Sequence, residues 1–166
     1  AHNTFGYEQV AYLLLFGELP TETELEHFKA YLGELRALPP NFTEDMIMKA
    51  PSSNIMNKLA RGVLASYSYD KNPEDRSISN ILRQSIELIS RFGTLVAYAY
   101  QAKRRYYDGK SMYIHNPLPE LSTAENILRL IRNNKAFTDD EAKLLDLALI
   151  LHAEHGGGNN SSLTVH

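Results

Sequence analysis

The chain has 166 residues, long enough for one domain with a buried core. Its apolar fraction of 43%, charged fraction of 22% and formal charge of −3 are those of an ordinary globular protein. They give no reason to expect nucleic-acid or membrane-surface binding. With no cysteine, disulfides and thiolate metal sites are excluded. The apolar stretches Val10 to Phe16 and Leu147 to Leu151 are too short to span a bilayer. The opening Ala1-His2-Asn3-Thr4 carries neither Met nor a signal-peptide pattern, so the chain is expected to be an excerpt of something longer.

Apolar periodicity predicts a first helix over Tyr7 to Phe16, stopped by Gly17. Thr21 and Glu24 form a capping box. The helix it opens aligns Leu25, Phe28, Leu32 and Leu35 on one stripe and ends before Pro39-Pro40. Thr43 is expected to cap a short helix through Met46 and Ile47, closed by Ala50-Pro51. Ser52 or Ser53 is expected to cap the next, with Ile55, Met56, Leu59, Val63 and Tyr67 on its buried face. Asp70 to Asp75 reads as a loop.

The longest helical pattern runs from Ser77 to about Asp108. Ile78, Ile81, Leu82, Ser85, Ile86, Ile89 and Phe92 step down one side, and Gly93 predicts a bend or a close helix contact. Lys103, Arg104 and Arg105 suit its C-terminal carbonyls. Tyr98, Tyr100, Tyr106 and Tyr107 are expected to pack against neighbouring helices. Met112 to Leu121, with Pro117 and Pro119, is non-helical. Capping boxes at Ser122/Glu125 and Thr138/Glu141 open two last helices, carrying Ile127, Leu128, Leu130 and Ile131, then Leu144, Leu145, Ala148 and Leu151. No stretch alternates with period two, so the fold class is all-α, with about seven helices.

The final helix runs into His152-Ala153-Glu154-His155-Gly156-Gly157-Gly158-Asn159-Asn160-Ser161-Ser162. His152 and His155 are three apart and share a helix face. A zinc site using them with Glu154, its further ligand being His166 or a distant carboxylate, is the weaker reading, because metalloprotease helices place His at i and i+4 with Glu directly after the first. His152 alone suits a cap on the last carbonyls. Three glycines exceed what a helix stop requires and suggest a backbone that approaches a ligand closely. A helix beginning near Leu163, with Ser161 or Ser162 as cap and His155 as donor, would favour a small carboxylate. His27 and His115 are single histidines with surface or local roles.

Tyr7-Glu8-Gln9-Val10-Ala11-Tyr12-Leu13-Leu14-Leu15-Phe16-Gly17-Glu18-Leu19-Pro20-Thr21 resembles the early helices of citrate synthases. Asp146 to His155, followed by Asn159 and Ser161, resembles their oxaloacetate-binding segment. Arg83 to Tyr100 and Leu118 to Leu130 are similar to the long central helix and to the Ser-Thr-Ala-Glu-Asn stretch. The resemblance implies that residues 1–166 are a part of the large helical domain, lacking N- and C-terminal portions.

It also implies an acyltransferase that condenses acetyl-CoA with oxaloacetate to citrate and CoA. Acetyl-CoA would be a cosubstrate, with no other cofactor and no metal. The enzyme would be a cytoplasmic homodimer of the tricarboxylic acid cycle that binds neither nucleic acid nor membrane. Under the resemblance His155 and Asn159 serve substrate binding and Ser161 is the catalytic-site residue that holds a histidine supplied by a later loop. The family's base aspartate and its other two histidines match nothing in this chain, so residues 1–166 alone are expected to be inactive. Asn54-Ile55-Met56 departs from the family's His-Pro-Met. The alternatives are a 2-methylcitrate synthase using propionyl-CoA and a non-catalytic helical dimerisation module.

Overall fold

The structure, a computed structural model, describes residues 5–154. Among them there is no strand; six α-helices, one π-helical turn and one 3-10 turn make up the fold. The all-α expectation is met. Helices α1 (Tyr7–Phe16) and α2 (Glu22–Leu35) form a hairpin. Gly17 sits at φ 82°, the left-handed geometry a helix stop uses. The Thr21/Glu24 capping box opens α2. Phe28 meets Tyr12 edge to face at 5.4 Å, and Ala11, Leu32 and Ile86 complete this smaller core.

Thr43–Met48 follows as a π-helical turn. Thr43 does not cap it, because the preceding Phe42 is already helical and no side chain closes the start. The buried Lys58 ammonium instead donates to the carbonyls of Met46 and of Ala50, the latter at 2.9 Å. It satisfies acceptors that the wider π turn leaves without ordinary helical partners. Helix α3 (Ile55–Ser66) is capped by Asn54, whose side chain accepts from Asn57 N at 3.0 Å, and not by Ser52 or Ser53. Ser52 Oγ accepts from Asn54 N and so shapes the entry one step earlier. Met56 and Tyr67, expected on the buried face, are exposed; Lys58, Leu59 and Gly62 are buried.

Helix α4 (Ile78–Tyr106) is the axis of the molecule, contacting α2, α3 and α5. Its first half departs from the predicted stripe: Ile78, Ile81 and Phe92 are exposed, and Ile86 is buried. Its second half buries Thr94, Leu95, Ala97, Tyr98, Ala99, Gln101 and Ala102. Small side chains there let neighbouring helices come close, which a search for large apolar residues undervalues. Gly93 marks a close contact within a continuous helix, since an added Cβ would lie 3.0 Å from Ile127 Cγ1 on α5 (Thr123–Ile131). Tyr98 is buried as expected, whereas Tyr100, Tyr106 and Tyr107 are exposed, near the basic helix end.

The segment 112–121 crosses the bundle as an extended strap, held by buried amides. Asn126 accepts from Leu118 N at 2.9 Å and donates to Leu118 O at 2.8 Å. Gln101 accepts from Tyr113 N and donates to the carbonyl of Ile131 at the end of α5. Gly33 of α2 abuts the strap so tightly that a Cβ would fall 2.4 Å from Pro119 O. Both predicted capping boxes open their helices, α5 at Ser122/Glu125 and α6 (Asp139–Ala153) at Thr138/Glu141.

Candidate functional site

Helix α6 is fixed at three levels. At its start, Glu141 accepts from Thr138 N at 2.8 Å and pairs with both terminal nitrogens of Arg132 at 2.7 and 2.8 Å. The Arg132 bonds, then the Thr138 amide, pull the Glu141 carboxyl down to about 2. Midway, the buried Asp146 carboxylate accepts from Gly6 N at 2.8 Å and Tyr7 N at 3.2 Å. At its end, His152 Nδ1 lies 2.7 Å from the Ala148 carbonyl. Nδ1 is therefore the protonated nitrogen, and His152 closes one of the last carbonyls, as read from the sequence. Glu154, with φ −151° and ψ 149°, is extended, so the chain leaves the helix directly before His155.

His155, Asn159 and Ser161, together with the three glycines and His166, lie outside the described residues. Of the alternative zinc set, His152 and Glu154 are described, and both are exposed. Among the described residues, no three His, Asp or Glu side chains come together as a metal site. His27 is exposed on α2. His115 has a local role in the strap: its Nε2 is 3.1 Å from Arg132 O, and its carbonyl accepts from the Tyr98 hydroxyl at 2.7 Å.

Besides Lys58, three more buried charges escaped the sequence reading. Asp146 is one; Glu8 and Arg36 are the others. Glu8 accepts from Thr123 N, the first residue of α5, at 2.7 Å and lies 4.0 Å from Arg36. The Arg36 guanidinium donates to the Leu121 carbonyl, and its own carbonyl accepts from Thr94 Oγ1 at 2.9 Å. Burial pulls the Arg36 guanidinium below its usual range, against the opposing field of Glu8. A signal for Asp146 was present: it is the one carboxylate within the apolar run Leu144 to Leu151. Nothing in the local sequence distinguishes Glu8 or Arg36 from surface charges.

Elsewhere, a cavity of about 290 Å³ lies between α3 and α4. It is walled by Phe42, Val63 and Leu95 and edged by Asp70, Gln84, Glu87 and Arg91. Arg83 bridges Asp70 at 2.7 Å and Glu87 at 2.8 Å along that edge. No residue of α6 lines it.

The fold defines a multi-helical domain, without strands among the described residues, whose last described helix packs on α1 and α5 and is followed in sequence by a His-, Gly-, Asn- and Ser-rich segment. The family model for the citrate synthase C-terminal domain matches residues 1–166, and the chain belongs to the citrate synthase family. It is 33% identical over 153 residues to the citrate synthase of Saccharolobus solfataricus, covering 92% of this chain and 38% of that protein. It is 27% identical to the citrate/2-methylcitrate synthase of Bacillus subtilis, covering 95% of this chain and 41% of that protein. The crystal structure of the citrate synthase from Pyrobaculum aerophilum superposes with a TM-score of 0.75 at 28% identity. That match covers 90% of this chain and 38% of the other. The chain thus spans about two fifths of the length of these relatives. Among the described residues no helix is long and apolar enough to cross a membrane.

Proposed function

We propose that this chain is part of the large helical domain of an acyltransferase that condenses acetyl-CoA with oxaloacetate to give citrate and CoA. The observation that carries the reading is the family match over all 166 residues, with relatives named citrate synthase on either side of 30% identity. In this reading α6 delivers His155 to oxaloacetate, Asn159 shapes the bend beside it, and Ser161 holds a catalytic histidine from another part of the protein. The reaction needs such donors. Removing a methyl proton from the acetyl thioester places charge on its carbonyl oxygen. Attack of the resulting enol(ate) carbon on the oxaloacetate ketone then places charge on a second oxygen. Hydrolysis of the citryl thioester releases CoA. Acetyl-CoA is the cosubstrate, with no metal or other cofactor, and the enzyme works as a cytoplasmic homodimer.

Mixing the intact protein with oxaloacetate and acetyl-CoA should release free thiol, and His155→Ala should lower the rate by about 10²-fold or more. A protein that binds oxaloacetate but releases no CoA from any acyl-CoA would overturn the reading. Residues 1–166 expressed alone should release none, because donors that bind substrate without the base do not stabilise the transition state.

A second acyl donor has a specific observation in its favour, the similarity to the Bacillus subtilis protein named citrate/2-methylcitrate synthase. The ratio of kcat/KM for acetyl-CoA and propionyl-CoA separates the two.

A further inference from the structure

The turn between α2 and α3 has two windings open to it, and the structure holds one of them. Thr43–Met48 is wound as a π-helical turn, with Lys49 N bonded back five positions to Glu44 O at 3.0 Å. Phe42 and Ile47 are also five positions apart, and each is only 1% exposed in the larger core. At 3.6 residues per turn these two side chains would point about 140° apart. The wider π winding brings both to the same side. An α winding would bring Met46 there instead, four positions after Phe42. Met46 is apolar, already half-buried and packed against the same core. The sequence thus carries an apolar side chain for either register, Ile47 for π and Met46 for α.

Hydrogen bonding separates the two. In the five-position pattern the Met46 carbonyl looks to the amide of residue 51, and Pro51 has no N–H to give. In an α winding the same carbonyl takes the amide of Ala50 and needs no outside donor. The structure supplies that outside donor. Lys58 Nζ, reaching from near the start of α3, donates to Met46 O, and to Ala50 O at 2.9 Å. The Lys58 ammonium is buried, and burial, then the neighbouring Arg61, pulls it below its usual range. A buried ammonium needs its acceptors. An α winding would turn the Met46 carbonyl to Ala50 N and leave Lys58 a single carbonyl. Lysine and turn therefore select each other.

We infer that Thr43–Met48 is a two-state element latched by Lys58: the ammonium selects the π winding, and its loss lets the turn rewind to α, exchanging Ile47 for Met46 in the core. Thr43 and Glu44 sit in the same turn and line a hollow with the strap residues Asn116 and Pro117, so the winding also sets that surface. The inference does not depend on the citrate synthase reading.

The test uses the intact protein, unsubstituted and as Lys58→Met, Pro51→Ala and the double variant Lys58→Met/Pro51→Ala. Solvent paramagnetic broadening of the Ile47 and Met46 methyl resonances reads which side chain is inside. Mass spectrometry reads amide exchange over residues 46–50. In the unsubstituted protein Ile47 should be the more protected of the two. Lys58→Met should reverse that order and speed exchange over residues 46–50 about tenfold. Pro51→Ala should leave the order as it is. In the double variant its new N–H should serve the Met46 carbonyl and return Ile47 to the inside. A lysine that mattered only for packing would not be rescued at residue 51. Ile47 remaining the more protected in Lys58→Met, or a double variant that matches Lys58→Met, overturns the inference. Where Lys58→Met does not fold, the double variant decides: folded with Ile47 inside supports the latch, and unfolded or with Met46 inside overturns it.

Discussion

Helices α5 and α6 begin alike and are used differently. Each opens on a capping box, Ser122/Glu125 and Thr138/Glu141, with both reciprocal bonds in place. Helix α5 then turns one apolar face to α4 and buries Ala124, Asn126, Leu128 and Leu130. Helix α6 is apolar around much of its circumference, yet on this chain it buries only Ala142 and Asp146. Leu144 and Leu151 are each 69% exposed. A cap determines where a helix starts, through amides within one turn. What the helix packs against depends on surfaces far away in sequence. Helix α5 is held by apolar packing, α6 by polar bonds at Glu141 and Asp146.

The sharpest way to break this comparison is to cut one leucine from each helix. Leu130→Ala, at a site 1% exposed, should cost about 2–5 kcal/mol in denaturant unfolding of the intact protein. A loss below about 1 kcal/mol would show that α5 is not held by its apolar face. The strap that α5 clamps gives the next effect. Gly33→Ala should cost about 1–3 kcal/mol, because the added methyl meets the Pro119 carbonyl rather than a flexible side-chain end. Chemical denaturation monitored by circular dichroism reads it.

The shared caps come next. Ser122→Ala and Thr138→Ala should each cost about 1 kcal/mol, and equally, since the geometry is the same at both starts. A clear inequality in melting temperature would mean that tertiary context overrides the cap. The pH dependence then singles out α6. The folded Glu141 carboxyl titrates at about 2, below its ordinary 4.5, so its contribution is complete above pH 4.5 and lost as pH falls toward 2. Glu141→Gln should remove that part of the acid dependence of the melting temperature while leaving the pH 5–8 plateau flat. An unchanged acid limb would refute the Arg132–Glu141 assignment. The smallest effect is Leu144→Ala, within about 0.5 kcal/mol of zero for contacts made by this chain. A large loss would reveal that the exposed face of α6 is covered in the intact protein.

Much of the architecture was legible in the sequence because its signals are local. Capping boxes, the Gly17 stop, the start of the long helix near Ser77 and the non-helical proline segment all act within a few residues, and each falls where the pattern put it. The apolar stripes were less reliable. Met56, Tyr67, Ile78, Ile81 and Phe92 are on the outside, while smaller residues such as Gly62, Thr94, Ala97, Ala99 and Ala102 take buried positions on the same helices. The cap of α3 was misassigned by one or two residues, since Ser52, Ser53 and Asn54 are all capable and only the backbone path selects Asn54. For the candidate site, the His152 contact and the entry to His155 follow from α6, while His155, Asn159 and Ser161 themselves lie outside the described residues.

The sequence by itself determined that the chain is helical, where most of its helices begin and stop, and which family it resembles. Those features depend on hydrogen bonds and side-chain spacing within one or two turns. Only the tertiary structure decided that Asp146 seats the start of α1, that Glu8 closes α5 and that Lys58 serves a π-helical turn. Each of these charges is buried against backbone groups from another element. A charge becomes an anchor only when folding removes water and supplies free amides or carbonyls in its place, and no local pattern of residues records that exchange.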